Sequence, residues 1–304
     1  MASGQLAGAT DRRGGSSDGK GKLAVAVAVV AVGTSAIMIM YAGSGPLTVA
    51  FYRLLFSTLM LLPYVAIFER DAIGGLDRKD VVRLAAVGLV LALHFSLWIT
   101  SVKLTSVANS VVLVTTHPLF VAAISAAFLG ERSPKYALLG GLIAGIGVGV
   151  MFAGDLSTGG LWGDAMAFGG AIAAGTYIVA GRSERRKLPT GTYCIVVYAF
   201  TTIFLLPGAF MESRLVPASN LDWILFIAMA AVPGIMGHTL YNFALGHVSA
   251  FVVSTSLLGE PVLSSLLAAL LFAQLPPAIS LLGIPLVFAG IVLAVWASGN
   301  RPPG

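Results

Sequence analysis

Residues 249–295 read SAFVVSTSLLGEPVLSSLLAALLFAQLPPAISLLGIPLVFAGIVLAV, and they repeat what residues 106–152 spell 143 positions earlier. Pro261 falls on Pro118, Pro277 on Pro134, Leu281-Leu282-Gly283 on Leu138-Leu139-Gly140, and Gly290 on Gly147. Each copy is two apolar runs joined by a short Pro-containing turn, which reads as a pair of long helices. The second copy carries Glu260-Pro261, a carboxylate and a helix breaker inside an otherwise uncharged run. An ionisable group in such a place is costly, so Glu260 is a functional candidate by default.

The same shift extends backwards, setting His94-Phe95-Ser96-Leu97-Trp98 on Gly237-His238-Thr239-Leu240-Tyr241. One residue more sets Leu61-Leu62-Pro63 on Leu205-Leu206-Pro207. Only 10% of the residues are charged and 57% are hydrophobic, whereas a soluble domain carries about 25% charge. The chain is therefore read as an integral membrane protein. Charge clusters and Gly/Pro turns divide it into ten apolar segments, near 23–41, 46–68, 81–101, 106–129, 135–153, 161–180, 191–211, 221–243, 249–272 and 278–297. Each is about long enough to cross roughly 30 Å of hydrocarbon. Lys20 and Lys22 before the first run resemble a signal peptide's layout, but the run is long enough to be a retained span.

The predicted fold class is an all-α membrane protein of ten transmembrane helices in two five-helix repeats, 22–154 and 155–298. A Gly- and Ser-rich stretch, 1–21, is predicted to be a disordered tail, and 299–304 a short terminal one. Five is odd, so the second repeat enters the membrane from the opposite side. Two such inverted halves around a midplane site are a transporter's architecture.

With the N-terminus inside, 15 of the 18 Lys and Arg fall on the cytoplasmic side, among them Lys20, Lys22, Arg78, Arg83, Arg132, Arg182 and Arg186. Lys103 and Arg214 fall outside and Arg53 lies within a span. This asymmetry predicts both termini in the cytoplasm and accounts for the basic balance without a nucleic-acid partner. The lone Cys194 forms no internal disulfide and no cysteine metal site. No cofactor or metal is expected.

Ten spans in two repeats, Phe-Leu-Gly-Glu-Arg at 128–132, Glu260-Pro261 in the ninth span, and Gly-rich fifth and tenth spans resemble the drug/metabolite transporter superfamily, in its EamA-like branch. The resemblance covers residues 23 to 297. It implies secondary transport of small organic solutes, often export of amino acids and related metabolites, from a cavity between the halves of an inner-membrane protein. One departure is that Gln274 stands where the first copy has Glu131. That argues against an essential carboxylate at this loop in both halves.

The candidate substrate-binding or coupling residues are His94, Trp98, Asn109, His117, His238, Tyr241, Asn242, Ser256 and Glu260. Ser256, Glu260 and Ser264 stand four apart and are expected on one helix face. Pro261 frees the carbonyl of Leu257, so Glu260 could take a proton or a substrate amine, or stand protonated in a structural hydrogen bond. His117 occupies the corresponding place in the fourth span, with Asn109 nearby, and histidine is the side chain most easily switched near neutral pH. Trp98 and Tyr241 are repeat equivalents at inverted depths, read as cavity-lining aromatics at opposite entrances or as a lipid-interface belt. Arg53 is expected to snorkel to the headgroups, or else to pair with an acid or a substrate carboxylate. Gly141, Gly145 and Gly149 form a small-residue stripe for close helix packing, within one chain or in a homodimer.

The function read from the sequence is thus a secondary transporter handling a small-molecule substrate among membrane lipids, probing two rivals of other classes. A non-transporting scaffold or receptor is one. An intramembrane enzyme is the other, but no HExxH motif is present and no GxSxG stands in the apolar spans. The topology has a direct check. A cysteine at Ser157, in a background lacking Cys194, should react with an impermeant thiol reagent from the outside only; labelling from the cytoplasmic side alone would invert the assignment.

Overall fold

Hydrocarbon offers no water to unpaired amides and carbonyls, so a spanning chain without strands must be helical almost throughout. The computed structural model describes residues 19–105, 107–152, 160–213, 215–272 and 280–299. Among these there is no strand. Eight helices are long and apolar enough to cross a membrane, and two shorter apolar ones, Lys135–Val150 and Ala250–Ser264, stand at the places of the fifth and ninth spans.

The ten spans are α1 (Gly19–Tyr41), α2 (Pro46–Phe68), α3 (Arg78–Leu104), α4 (107–129), α5 (Lys135–Phe152), α6 (Leu161–Arg185), α7 (Thr190–Ser213), α8 (Asn220–Leu245), α9 (250–272) and α10 (Ser280–Gly299). Most of the tail expected at 1–21, the outer loop near 155–159, Gln274 and the terminal residues from 300 onward lie outside the described residues. Residues 19–21 correct the tail boundary, for α1 already begins at Gly19. A contact overrides composition there: a Cβ on Gly21 would lie 2.8 Å from the Cβ of His247. α3 likewise starts three residues early, because Asp77 and Asp80 form a reciprocal capping box that holds its first turn.

Inversion is visible in the way helices pair. A Cβ on Gly140 would stand 2.6 Å from Ala294 N, and one on Gly147 2.7 Å from Val287 N, so α5 and α10 run antiparallel with their backbones touching. A Cβ on Gly290 would meet Ala144 N at 2.4 Å. The packing stripe is therefore Gly140, Ala144 and Gly147. Of the expected stripe, Gly141 packs within the chain, where a Cβ would stand 2.9 Å from Phe251 Cζ, whereas a Cβ at Gly145 or Gly149 meets nothing within 4 Å. Every glycine of this helix looks alike in sequence, and only the partner α10 distinguishes the two faces.

α2 and α7 make the second symmetric pair, and here polar groups carry the symmetry. Glu69, at the end of α2, accepts from Gly191 N (3.2 Å), Thr192 N (2.5 Å) and the Thr192 hydroxyl (2.9 Å) at the start of α7. Glu212, at the end of α7, accepts from Leu47 N (3.3 Å), Thr48 N (2.8 Å) and the Thr48 hydroxyl (2.8 Å) at the start of α2. The two glutamates are 143 residues apart, the interval of the repeat. Each supplies an acceptor and a negative charge to helix-terminal amides that otherwise have no partner.

The halves also exchange their first helices. α6 packs along α3, with Gly170 against Trp98 and Gly163 against Thr105, while α1 packs along α8, with Gly237 against Val32 and Gly21 against His247. Each first helix thus packs along the third helix of the other repeat, and the two interlock around one core. The α5 and α10 contact has a measurable consequence. Gly290→Ala, which must push apart two backbones, should lose about 1–3 kcal/mol to overpacking and lower the detergent unfolding temperature, whereas Gly145→Ala should leave it unchanged.

Candidate transport site

Two spans are broken at equivalent points. α4 interrupts its helix at Thr115-Thr116, just before His117-Pro118, and α9 tightens to a 3-10 turn at Leu257–Gly259, just before Glu260-Pro261. Proline cannot donate an amide to the preceding turn, so Pro118 leaves Val114 O and Pro261 leaves Leu257 O without that donor, and Leu257 O accepts from Glu260 N instead. Thr115 gives its hydroxyl to Val111 O (2.8 Å) and Thr116 gives its own to Leu113 O (2.7 Å). α1 is interrupted too, at Gly33-Thr34, and Ser264 reaches across from α9 to donate to Gly33 O at 2.6 Å.

His117 and Glu260 are 143 residues apart and line one cavity. His94, Trp98, His238 and Tyr241 line it as well, together with Thr115 and a rim of apolar residues. Its volume is ≈ 60 Å³, well below the roughly 300–1,000 Å³ of a pocket holding a drug-sized ligand. This is a contracted arrangement. His94 stacks on Trp98 (6.0 Å between centroids, 6° apart) and its Nδ1 faces Gly170 O at 3.0 Å. Across the cavity Tyr241, the repeat equivalent of Trp98, makes a hydrogen bond instead, its Oη to His238 Nδ1 at 2.6 Å. His117 Nδ1 and Trp98 Nε1 have no hydrogen-bond partner among the described residues. They are the groups left for an occupant.

Trp98 is 5% and Tyr241 3% exposed, so neither belongs to a lipid-interface belt. Ser256 and Asn242 stand elsewhere. A 3-10 turn advances about 120° per residue against 100° in an α-helix, so the three residues Leu257–Gly259 rotate Ser256 off the face of Glu260 and into an outer groove. Asn242 is fully buried on the far side of α8, where it donates to Tyr177 Oη (2.8 Å) among a cluster that includes Tyr198. The side chain of Asn109 lies outside the described residues.

Arg53 overturns its expectation. It is 1% exposed, donates to Ser35 Oγ at 2.7 Å, and sets its guanidinium 4.8 Å from the centre of the Phe95 ring. Its charge and that of Glu260 act on each other. Snorkelling fails because α1 and α3 enclose this face of α2, leaving no route to the headgroups. Ser57, one turn further on, was the available signal, since it marks an inward polar stripe and spans the gap to Ala230 O.

On the side where α6 ends, arginines close the bundle. Arg182 donates to Leu245 O (2.7 Å) and Arg185 to Asn242 O (3.0 Å), covering the last carbonyls of α8, where a cation also suits the helix dipole. Glu131 binds Arg182 at 3.1 Å and also pairs with Arg186, tying the α4–α5 turn to the end of α6. Among the described residues no cluster of His, Cys, Asp and Glu could hold a metal.

Inverted five-helix repeats broken at matched prolines around one cavity find a counterpart among known proteins. The EamA-like transporter family matches residues 19–153 and again 161–296. The chain belongs to this family. An EamA-like relative from Archaeoglobus fulgidus, described as an uncharacterized transporter, is 24% identical over 276 residues, spanning 90% of this chain and 96% of its own. The Pseudopaline exporter CntI of Pseudomonas aeruginosa is 26% identical over 256 residues, spanning 83% and 87%. A crystal structure at 18% identity superposes with a TM-score of 0.75 over 94% of this chain and 99% of the other, and shares the fold.

The positions of Asn242 and Glu260 predict a contrast. Asn242→Ala should cost about 1–3 kcal/mol by leaving buried groups unsatisfied, lowering the unfolding temperature in detergent. Affinity for a transported solute, measured by equilibrium binding, should stay at the wild-type value.

Proposed function

We propose that this EamA-like transporter exports small polar or amphipathic metabolites, amino acids among them, by alternating access around the cavity that His117 and Glu260 share. The observation that carries the reading is their equivalence: a titratable side chain stands at the break of the fourth helix in each repeat, and both face one space. An inverted pair of halves can exchange inner and outer roles only if the groups at their junction serve both states. Broken helices at that junction supply backbone dipoles and a hinge without exposing unpaired groups to lipid.

Several features favour an occupant with a cationic or hydrogen-bonding group. Glu260 offers a carboxylate, the unpartnered nitrogens of His117 and Trp98 offer polar contacts, and Tyr241 with Trp98 supplies aromatic surface. Arg53, buried against Ser35 and the Phe95 ring, supplies a positive charge from the other half. Competition between Arg53, a proton and a substrate cation for one carboxylate gives a simple route to coupling. Export agrees with the name of the Pseudomonas aeruginosa relative, and a cytoplasmic placement of both termini in the inner membrane agrees with the basic asymmetry.

Glu260→Gln keeps the shape and most hydrogen bonding of the side chain while removing its titration. In proteoliposomes loaded with amino acids, the variant should fold and reconstitute normally while its flux loses its dependence on pH. Flux that follows the wild-type pH profile would reduce Glu260 to a structural hydrogen bond.

A further inference from the structure

A second cavity lies on the opposite side of the α9 break. It is a groove of ≈ 350 Å³ between α1, α9 and α10, with Val25, Val29 and Val252 in its floor and Val30 and Phe288 at its edge. The floor residues are buried, but Val30 is 58% and Phe288 51% exposed, so the groove opens at the perimeter of the bundle, where lipid lies. At the end nearest the chain termini it meets a more polar hollow of ≈ 170 Å³, which shares Lys22, Val252 and Val295 with it and adds His247, Ser249 and Ser298.

Dimensions choose the occupant. From Val252 to Leu263 the groove follows α9 for eleven residues, or about 16 Å at 1.5 Å per residue. That is one leaflet of a hydrocarbon core roughly 30 Å thick. Spread over this length, ≈ 350 Å³ leaves a cross-section of about 20 Å², against about 80 Å² or more for a helix of 10 Å diameter. A neighbouring helix does not enter, whereas a single hydrocarbon chain does. At the mouth, the ammonium of Lys22 and the ring of His247 face the level of the headgroups, with two serine hydroxyls beside them. Basic pockets between spans are where anionic headgroups bind.

We infer that this groove is a binding site for one anionic phospholipid of the leaflet on the terminal side, its acyl chain along α9 and its phosphate at Lys22, His247, Ser249 and Ser298. The chain touches Ser256 and Gly259 from outside, while Leu257 and Glu260 line the central cavity from inside. Lipid and solute therefore share one wall, the 3-10 turn itself. A lipid seated here bears directly on the segment that carries Glu260.

The test uses the full-length protein purified in detergent, with phosphatidylglycerol, phosphatidylcholine of the same chains, and inorganic phosphate as probes. Native mass spectrometry should show one retained phosphatidylglycerol, favoured over phosphatidylcholine about fivefold, the worth of one lysine near an anionic surface, and the same lipid should raise the unfolding temperature. Lys22→Gln should remove the headgroup preference. Ala26→Trp, or Val30→Trp at a position already exposed, should plug the groove and abolish retention of both lipids while the protein stays monodisperse. Equal retention of the two lipids by the wild type, phosphatidylglycerol binding that survives both plugs, or stabilisation by phosphate alone would each overturn the assignment.

Discussion

Every break in a spanning helix leaves a carbonyl or amide in a medium that cannot bind it, and this protein breaks four of its spans. At three of these places a side chain brought in by packing bonds a carbonyl beside the break, Thr115 and Thr116 in α4, Ser264 of α9 at α1, and Ser57 of α2 at the widened turns of α8 around Ala230, while in α9 the Glu260 amide closes on Leu257 O. Three of these four interrupted spans, α4, α8 and α9, contribute titratable side chains to the cavity. Irregular backbone and functional groups thus sit together because both need the one region shielded from lipid.

The two repeats are not independent bodies. Each lends its first helix to the other, the glycine faces of α5 and α10 touch backbone to backbone, and Glu69 and Glu212 cap helices across the pseudo-twofold. The last contact couples the two membrane faces in a particular way, for one glutamate lies at each end of the α2–α7 pair. These two helices are held as a unit at both ends, which leaves α4 and α9, with their breaks, as the segments best placed to move. Beside them at the cavity, side chains of α3 and α8 stack or hydrogen-bond within each half, His94 on Trp98 and His238 to Tyr241.

Charge inside the bundle follows the same economy. Arg53 and Glu260 are carried by different halves and approach one region from either side. A buried charge is costly unless it is paired or hydrogen-bonded, and Arg53 is held by Ser35 and the face of a phenyl ring. The arginines at the end of α6 play another part. Arg182 and Arg185 are spent on backbone carbonyls of α8 and fix that end of the bundle.

The sequence by itself determined the class, the ten spans, the inverted repeat and six of the cavity residues, because spanning hydrocarbon demands long apolar runs and because a repeat at an interval of 143 carries a functional position from one half to the other. His117 and Glu260 were legible in this way. What a helical wheel says about faces was not enough: three residues of 3-10 turn rotated Ser256 out of the cavity, Asn242 turned toward a tyrosine cluster, and the glycines of α5 that pack on α10 are not those of the stripe their spacing suggests. Arg53 and the two capping glutamates depend on partners more than a hundred residues away or on other helices altogether. Helix rotation and partner choice are set by the sum of contacts around a helix, and only the tertiary structure decided them.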